Sequence, residues 1–527
     1  MTVAEYIAKE FKARGVKYVF GIPGGSSIPY MEEFRNNEIE FILTSNEAAA
    51  GIMADVTGRM TGIPGVCHAT FGPGATNLST GIGSAMLDRS PLIALTSVMP
   101  ENMRKRTAQM NIDHQMLFEP ITKATVMINN KNITAVMNDA FELATDEYPG
   151  PVHIGLPTDQ ALKQVTEKTS ISTEGSKSNK LLIDDELIEL LEYSRKPILA
   201  LGLTAARAGL CDEIYDFLDK YPVPVIMTPM AKGLVREDHN CYCGVLFHAA
   251  SDKLSPLINE ADLVIGLGYD PVEYNYESWL PDVPLIHFNT VHTDMPEGIM
   301  VKQVTGSLEG VLSMIQPALK FKPEWDAGMV SDCRNNIQNL INEVNINFGP
   351  FRVLTTLQEY LPRNIILSLD VGSHIHLFGQ YWRATPGNLL MTNGWSGMGF
   401  SIPAAIAASL NRDEPVACVT GDGGFLMMCG EIVTARRLNL GILFIVLADR
   451  ELNLIKIKEN KQGVANIGVD LYQGDLIGTD SFLGVPVITC SNESMLRESL
   501  SSLYPMEGPL ILEIIIDPSD YKKLVVT

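Results

Sequence analysis

Short apolar, β-branched runs alternate with longer helical patterns through most of this chain; examples are LIALTSV at 92–98, PILALGL at 197–203 and ILFIVLAD at 442–449. Runs that are apolar at nearly every position, without the alternation of polar residues, suit strands buried on both faces, as in parallel sheets. Strands of this kind that alternate with helices are typical of α/β domains. The pattern therefore predicts doubly wound parallel sheets.

Two polar stretches divide this pattern. At ~150 residues per domain, a chain of 527 residues is long enough for three or four domains. Residues 164–180 are rich in Ser, Thr, Lys and Glu, which is typical of an exposed linker, and an Asn-rich helical segment makes a second break at 318–350. We therefore expect three α/β domains, at roughly 1–165, 183–318 and 350–527.

The charge balance argues against nucleic-acid binding. The chain has 62 acidic and 40 basic residues, a formal charge of −22, whereas nucleic-acid-binding proteins neutralise phosphates with clustered Lys and Arg.

The N-terminus lacks the pattern of a signal peptide, and no apolar run has the ~18 residues of a membrane span. The eight cysteines are scattered, as in reduced proteins. We expect a cytoplasmic protein with no membrane partner.

The sharpest local signal is a pair of carboxylates at the ends of two successive strands. The strand in VACVTGDGG (416–424) runs into a turn of Gly421, Asp422, Gly423 and Gly424. The pattern predicts a helix next, GEIVTARRLNL, and then a strand that ends at Asp449. A glycine turn brings backbone N–H groups close to a phosphate, and an Asp in it suits Mg²⁺ bridging to that phosphate. The alternative is a tight turn with no ligand, but a second carboxylate at the next strand end favours the metal site.

This pair resembles the Mg²⁺–diphosphate motif of the thiamine-diphosphate enzymes, in which GDG is followed, about one strand–helix unit later, by Asn or Asp. Asp at the second position, here Asp449, resembles the catabolic, flavin-independent acetolactate synthases. The resemblance implies Asp422, Asp449 and the backbone carbonyl of Glu451 as metal ligands. It also implies cofactor contacts in three segments. VGSH (371–374) is similar to the family's VGQH, and NGWSGMGF (393–400) is similar to its GGLGTMGF. The third segment follows Asp449. The cofactor-binding residues implied are Val371, Gly372, Ser373, His374, Gly397, Met398, Gly421, Asp422, Gly423, Gly424, Asp449, Glu451, Leu452, Asn453 and Leu454.

The first domain carries the same resemblance independently. SNEAAA (45–50) follows a strand and opens a helix, and TFGPGATN (70–77) is similar to the family's SGPGATN turn. By position alone, Glu47 is a favourable charge at a helix start. By resemblance it is the catalytic glutamate, which shares a proton with N1′ of the aminopyrimidine ring. The segments at 104–123, 150–159 and 265–275 also match in order, so the resemblance covers almost the whole chain.

Some departures from the family pattern bear on the substrate. Phe71 replaces the Ser of SGPG, Ser373 replaces the Gln of VGQH, and Ser26 stands where the catabolic synthases often carry Lys. We expect Ser26, Phe71 and Gln115 to face the substrate.

The resemblance implies thiamine-diphosphate- and Mg²⁺-dependent decarboxylation of a 2-oxoacid, with pyruvate as the expected substrate, and carboligation to a second 2-oxoacid. It also implies a homodimer or homotetramer with active sites between subunits. Three alternatives stay open at this point. They are a decarboxylase or a carboligase with another acceptor, a pyruvate-oxidase-like enzyme with FAD at the central LGLTAARAG turn, and a non-catalytic relative.

Overall fold

A computed structural model of the protein describes residues 1–166, 181, 183–273, 276–343 and 347–524. Most of the expected linker, from residue 167 to 180, lies outside the described residues, as do Tyr274 and Asn275 of the 265–275 segment.

The first sheet has six parallel strands in the order β2-β1-β3-β4-β6-β5. Its strands are β1 (Tyr18–Gly21), β2 (Glu40–Leu43), β3 (Gly65–Ala69), β4 (Leu92–Val98), β5 (Ala124–Met127) and β6 (Pro151–Pro157). Its helices are α1 (Val3–Ala13), α2 (Ile28–Asn36), α3 (Glu47–Thr61), α4 (Gly72–Leu87), α5 (His114–Phe118) and α6 (Ile133–Thr145).

The second sheet is also six-stranded and parallel, in the order β12-β11-β10-β7-β8-β9. Its strands are β7 (Pro197–Leu201), β8 (Val225–Met227), β9 (Tyr242–Val245), β10 (Leu263–Leu267), β11 (Leu285–Asn289) and β12 (Val301–Thr305). The helices are α7 (Asp185–Tyr193), α8 (Leu203–Arg207), α9 (Cys211–Lys220), α10 (Ser255–Ile258) and α11 (Val311–Ile315), followed by α12 (Ala327–Glu343) in the expected Asn-rich segment.

The third sheet has seven strands in the order β14-β13-β15-β16-β19-β18-β17, and only the β17–β18 pair is antiparallel. Its strands are β13 (Ile366–Leu369), β14 (Leu389–Leu390), β15 (Val416–Gly421), β16 (Ile442–Ala448), β17 (Ser481–Phe482), β18 (Val485–Cys490) and β19 (Leu510–Ile515). Its helices are α13 (Pro350–Tyr360), α14 (Ser373–Tyr381), α15 (Ser401–Asn411), α16 (Asp422–Met428), α17 (Ile432–Arg437), α18 (Asn453–Gln462), α19 (Glu493–Ser501) and α20 (Tyr521–Leu524).

Each sheet is covered on both faces, as the continuous apolar runs predicted. On β4, Ile93 and Leu95 pack into one core while Leu92 and Ala94 pack into another, because successive side chains point to opposite faces. The same alternation holds along β7 and β16. The fold prediction of three doubly wound α/β domains is confirmed. The proposed boundaries fall between the three sheets and stay a prediction.

One local prediction was wrong. The glycine turn after β15 does not exist as a separate element, because β15 ends at Gly421 and α16 begins at Asp422. The helix expected over 430–440 is present as α17, which follows a 3-10 turn over Cys429–Glu431.

The three domains meet at buried Asp88, through its side chain and its backbone oxygen. Its Oδ2 accepts a hydrogen bond from Arg59 of the first domain at 2.9 Å. Its Oδ1 accepts from the backbone N–H groups of Asn393 and Gly394 in the C-terminal domain, at 3.2 and 2.8 Å. Arg207 of the central domain donates to the backbone oxygen of Asp88 at 3.1 Å. This Asp88 junction ties the loop that leads to Met398 to the other two domains.

The eight cysteines are free, and six of them are buried. Among the described residues, no helix is long and apolar enough to cross a membrane.

Candidate functional site

A cavity of about 220 Å³ opens at the carboxyl ends of β13, β15 and β16. Ligands of open α/β sheets bind at this edge. Every cofactor residue expected from the sequence lines this cofactor cavity, except Gly397, whose neighbours on both sides do. The lining residues that were not expected are Ser396, Leu447, Ile455 and Tyr521.

Asp422, the first residue of α16, is held firmly in this cavity. Its carboxylate accepts from its neighbour Gly423 N at 2.8 Å, from Arg450 N at 2.6 Å and from the Tyr472 hydroxyl at 3.0 Å. Burial raises the pKa of Asp422, and these hydrogen bonds oppose the rise because they favour the charged form. Tyr472 is 50 residues away along the chain, and no signal in the sequence points to it.

Asp449 follows β16 directly and lines the same cavity. Burial and the like charge of Asp422 raise the pKa of Asp449 to about 8. A divalent cation between the two carboxylates would remove this repulsion, since Mg²⁺ prefers carboxylate and phosphate oxygens. The Glu451 side chain forms an ion pair with Lys456, so a contribution from Glu451 to a cation would come from its backbone. Within the described part of the chain, no group of three or more His, Cys, Asp or Glu side chains could hold a metal ion.

Polar groups without partners face the cavity from two other segments. Ser373 Oγ and His374 Nε2 are buried at the start of α14, and neither has a hydrogen-bond partner. Asn453 Oδ1, at the start of α18, is in the same state. Burial lowers the pKa of His374 to about 4, so the ring is neutral near pH 7. Buried polar atoms normally have partners, and these atoms point to a polar ligand. The donor set therefore fits a diphosphate and a divalent cation.

Two glycines of α16 leave room for side chains that pack closely against the helix. A Cβ on Gly423 would lie 2.8 Å from Met398 Cε, and one on Gly424 would lie 2.5 Å from Asp370 Oδ2. Buried Asp370 also accepts from Gly399 N, at 2.8 Å, and from Ser401 Oγ, at 2.9 Å, and so fixes the backbone next to Met398. Asp370 was missed by the sequence analysis, although it ends the strand run IILSLD in the way that Asp449 ends its own.

Glu47 is the first residue of α3 and is 7% exposed. Its Oε2 accepts from Asn77 Nδ2 at 3.0 Å, and a Cβ on Gly74 would lie 3.2 Å from Oε1, so the TFGPGATN segment packs directly on this carboxylate. The backbone N–H groups of Ser45 and Asn46 donate to Glu431 of the C-terminal domain, at 2.7 and 3.0 Å. Glu47 itself is not among the residues that line the cofactor cavity of its own chain.

A second cavity, of about 200 Å³, lies in the first domain. This first-domain cavity is lined by Phe71, Val98, Met99, Arg104, Met110, Asn111, Ile112, Asp113, His114 and Gln115. Gln115 Nε2 is buried there without a partner, which leaves a donor for a ligand. Phe71 and Gln115 were both expected to face the substrate. Ser26 is not in the lining, and its hydroxyl donates to Ser97 Oγ at 2.8 Å.

The central domain has a buried carboxylate at its LGLTAARAG turn. Glu273 accepts from the backbone N–H groups of Leu203 and Met230, at 3.2 and 2.7 Å. Burial raises the pKa of Glu273 to about 8. Leu203 is the first residue of α8, so the backbone amide that could have met a nucleotide phosphate at this turn already binds a side chain of the protein.

Comparison with known proteins agrees with this geometry. Three family models match in order: the N-terminal TPP binding domain of thiamine pyrophosphate enzymes at residues 1–117, their central domain at 185–315 and their C-terminal TPP binding domain at 370–514. All the residues that line the cofactor cavity, except Tyr521, lie within the match to the C-terminal TPP binding domain.

Similar curated proteins span nearly the whole chain. A probable acetolactate synthase large subunit from Methanococcus aeolicus is 28% identical over 100% of this chain and 94% of its own length. Acetolactate synthase isozyme 1 large subunit from Escherichia coli strain K12 is 29% identical, over 98% and 94%. The catabolic acetolactate synthase of Raoultella terrigena is 27% identical, over 98% and 95%.

Proposed function

Because the chain belongs to the thiamine pyrophosphate enzymes, we propose that it decarboxylates pyruvate and joins the remaining two-carbon unit to a second 2-oxoacid, as an acetolactate synthase does. One observation carries this proposal: Asp422 and Asp449 converge in a cavity with the buried, unpartnered Ser373 Oγ and His374 Nε2. Such a site suits a diphosphate held through Mg²⁺.

The C-terminal domain would hold the diphosphate end of the cofactor. Asp422, Asp449 and the Glu451 carbonyl would ligate Mg²⁺, while Ser373 and His374 would bind phosphate oxygens directly. When bound, thiamine diphosphate supplies a nucleophilic carbon and an electron sink for decarboxylation. Met398, which is anchored through the Asp370 contacts, would support the cofactor's rings from the side.

The first domain would supply the proton chemistry and the substrate contacts. Glu47 would hold a proton at its carboxyl group against the pyrimidine ring, and Asn77 would orient that carboxylate. The unpartnered amide of Gln115 would donate to a substrate oxygen, and Arg104 in the same cavity wall supplies a positive charge for a 2-oxoacid carboxylate. Phe71 would shape the apolar side of that cavity.

A screen of 2-oxoacids with thiamine diphosphate and Mg²⁺ tests the proposal, with CO₂ and products followed by mass. Acetolactate from pyruvate is the expected result. Free aldehyde as the sole product would instead indicate a decarboxylase. No CO₂ from any 2-oxoacid, despite bound cofactor, would indicate a non-catalytic relative. Flavin in the purified protein would favour the oxidase alternative, which the Glu273 contacts at the central turn argue against.

The active sites are proposed to lie between subunits of a homodimer or homotetramer in the cytoplasm. The support is that Glu47 does not line the cofactor cavity of its own chain. The N-terminal and C-terminal TPP binding domains are separate parts of one chain. In a symmetric pair of chains, the N-terminal domain of each would face the C-terminal domain of the other.

Mixed oligomers of Glu47→Gln and Asp422→Ala chains test this arrangement. Each variant alone is expected to be inactive. If the sites lie between subunits, a mixed dimer has one doubly altered and one intact site, so random mixing is expected to restore about a quarter of wild-type activity. Native mass spectrometry measures the mixed fraction. No recovery in verified mixed dimers would contradict sites between subunits.

Asp449→Asn is expected to weaken the apparent Mg²⁺ affinity roughly tenfold, about 1.4 kcal/mol, with the product spectrum unchanged. Asn keeps an oxygen for the metal but loses the attraction between carboxylate and cation, which at close range exceeds the repulsion from the more distant diphosphate. Titration of activity against Mg²⁺ in both proteins measures this. Equal or tighter Mg²⁺ binding in the variant would show that Asp449 does not ligate the metal.

A further inference from the structure

Four side chains of the first domain form a continuous line of hydrogen bonds that starts at the wall of the first-domain cavity. His114 Nδ1 lies 2.8 Å from Thr96 Oγ1, and Thr96 Oγ1 lies 2.7 Å from His153 Nε2. His153 Nδ1 in turn lies 2.6 Å from Thr125 Oγ1. We call this line the His–Thr relay.

Strand order explains how the relay forms. Thr96, His153 and Thr125 lie on β4, β6 and β5, which are consecutive in the sheet. Thr125 is directly paired with His153 in the parallel register. Because β5 is the edge strand, the relay runs from the cavity to the edge of the sheet. Phe118 stacks on the His153 ring, with centroids 4.4 Å apart.

The middle of the relay is buried, and its two ends reach the first-domain cavity and the edge of the sheet. Thr96 and His153 are fully buried, and His114 is 2% exposed, whereas Thr125 is half-buried at the edge strand. His114 lines the cavity. Since its Nδ1 binds Thr96, Nε2 is the ring nitrogen left for a ligand.

The single proton of the Thr96 hydroxyl couples the two rings. If Thr96 donates to His114 Nδ1, it must accept from His153 Nε2, and His114 then presents an N–H to the cavity. If Thr96 donates to His153, both rings take the other tautomer, and His114 presents a lone pair. A change at one end of the relay therefore changes the other end without charging either ring.

Burial keeps both rings neutral. It lowers the pKa of His114 to about 4 and that of His153 to about 3. Asp113 opposes the shift at His114, while Arg104 adds to it. A neutral relay suits this position, since an imidazolium in the sheet would be costly.

The proposed reaction needs one proton in each turnover. Two 2-oxoacid anions become one hydroxy-oxoacid anion and CO₂, so one proton must be taken up to balance the charge. That proton ends on the former carbonyl oxygen of the acceptor when the new C–C bond forms.

We propose that His114 is a catalytic residue that donates this proton from Nε2 to the acceptor carbonyl oxygen, and that the His–Thr relay replaces it from solvent. The inference rests on the proposed function. As the N–H bond at Nε2 breaks, His114 Nδ1 takes the Thr96 proton and Thr96 takes the proton of His153 Nε2. His153 Nδ1 then takes the Thr125 proton, and Thr125 is reprotonated by a solvent acid at the sheet edge. These transfers leave both rings in the other tautomer, with a lone pair at His114 Nε2. After the product leaves, Nε2 takes a proton from water in the cavity and the relay runs in reverse to release one proton at the sheet edge, so the net uptake is one proton per turnover.

Substitution of Thr96 tests the relay with His114 left in place. Thr96→Val is expected to lower kcat about 10-fold with little change in KM, and to change the solvent deuterium isotope effect on kcat. Thr96→Ser should restore both, because it restores the hydroxyl. The matched control is Thr356→Val, since Thr356 is a fully buried threonine of the C-terminal domain, away from the relay, whose hydroxyl donates to the Arg352 carbonyl. Wild-type kcat and isotope effect in Thr96→Val would overturn the proposal.

A second measurement does not depend on activity. In histidine-labelled holoenzyme, nitrogen NMR reports the tautomer of each ring. Thr125→Val removes the far end of the relay and is expected to shift the tautomer balance of His114, three groups away along the relay. An unchanged His114 signal would overturn the relay. If wild-type enzyme makes no acetolactate, the proposed function fails, and this measurement still decides whether the relay exists.

Discussion

Glu47→Gln is expected to lower turnover by about 10²- to 10⁴-fold while the protein stays folded and keeps its cofactor. The glutamine preserves the shape of the side chain and can still contact Asn77, but it cannot exchange a proton with the pyrimidine ring. Steady-state kinetics together with bound-cofactor analysis measure the effect.

Glu40→Gln is the matched control for this substitution. Glu40 is an exposed glutamate on β2, in the same domain, and its replacement is expected to leave kcat unchanged. Near wild-type turnover by Glu47→Gln with cofactor bound would show that Glu47 does not perform proton transfer, even if its position in the site is correct.

Asp422→Ala is expected to abolish Mg²⁺-dependent retention of thiamine diphosphate, and activity with it. The substitution removes a carboxylate that accepts three hydrogen bonds and that would ligate the metal. It also leaves Arg450 N and the Tyr472 hydroxyl without their acceptor, so unfolding is measured by thermal melting in parallel.

A second variant separates metal loss from unfolding. Asp422→Asn keeps an oxygen for Arg450 N and Tyr472 and should fold, yet it should bind Mg²⁺ more weakly. Asp413→Ala, at an exposed position of the same domain, is the control and should bind cofactor normally. Thiamine-diphosphate affinity that is the same in wild type and Asp422→Ala, with and without chelator, would refute the metal role.

Local sequence patterns sufficed for the parts of the site that are built from strand ends. Asp422 and Asp449 each follow an apolar run, and parallel strands carry both residues to one edge of the sheet. The alternation of faces along β4 was likewise implied by the apolar residues 92–95 that begin the strand. For these features, the local order of apolar and polar residues is enough to predict which side chains lie close together.

Contacts between distant segments could not be predicted in this way. Tyr472 reaches Asp422 through the folding of the C-terminal domain on itself, and Glu431 holds the backbone before Glu47 because the first and C-terminal domains pack together. Neither pairing leaves a periodic pattern in the sequence. The helix start at Asp422 was missed because two consecutive glycines favour a turn unless tertiary contacts hold them in a helix. Gly424, packed against Asp370, is held in that way.

The His–Thr relay shows the same limit of local patterns. His153 and Thr96 lie in apolar strand runs, where each is simply a tolerated polar residue. Only the strand order β4-β6-β5 places them in line with Thr125, and that order depends on the whole domain.

The Asp88 junction sets where this chain tolerates recombination with a relative. Although each sheet has its own covering helices, a chimera that exchanged only the first domain would place the relative's residue at position 88 against the amides of Asn393 and Gly394. Where that residue has no carboxylate, these amides lose their acceptor, which is costly in a buried position. Crossovers in this lineage are therefore expected to survive when they carry Arg59, Asp88, Arg207 and the 393–394 loop as one inherited set, so three domains that look separable by shape are a single unit of exchange.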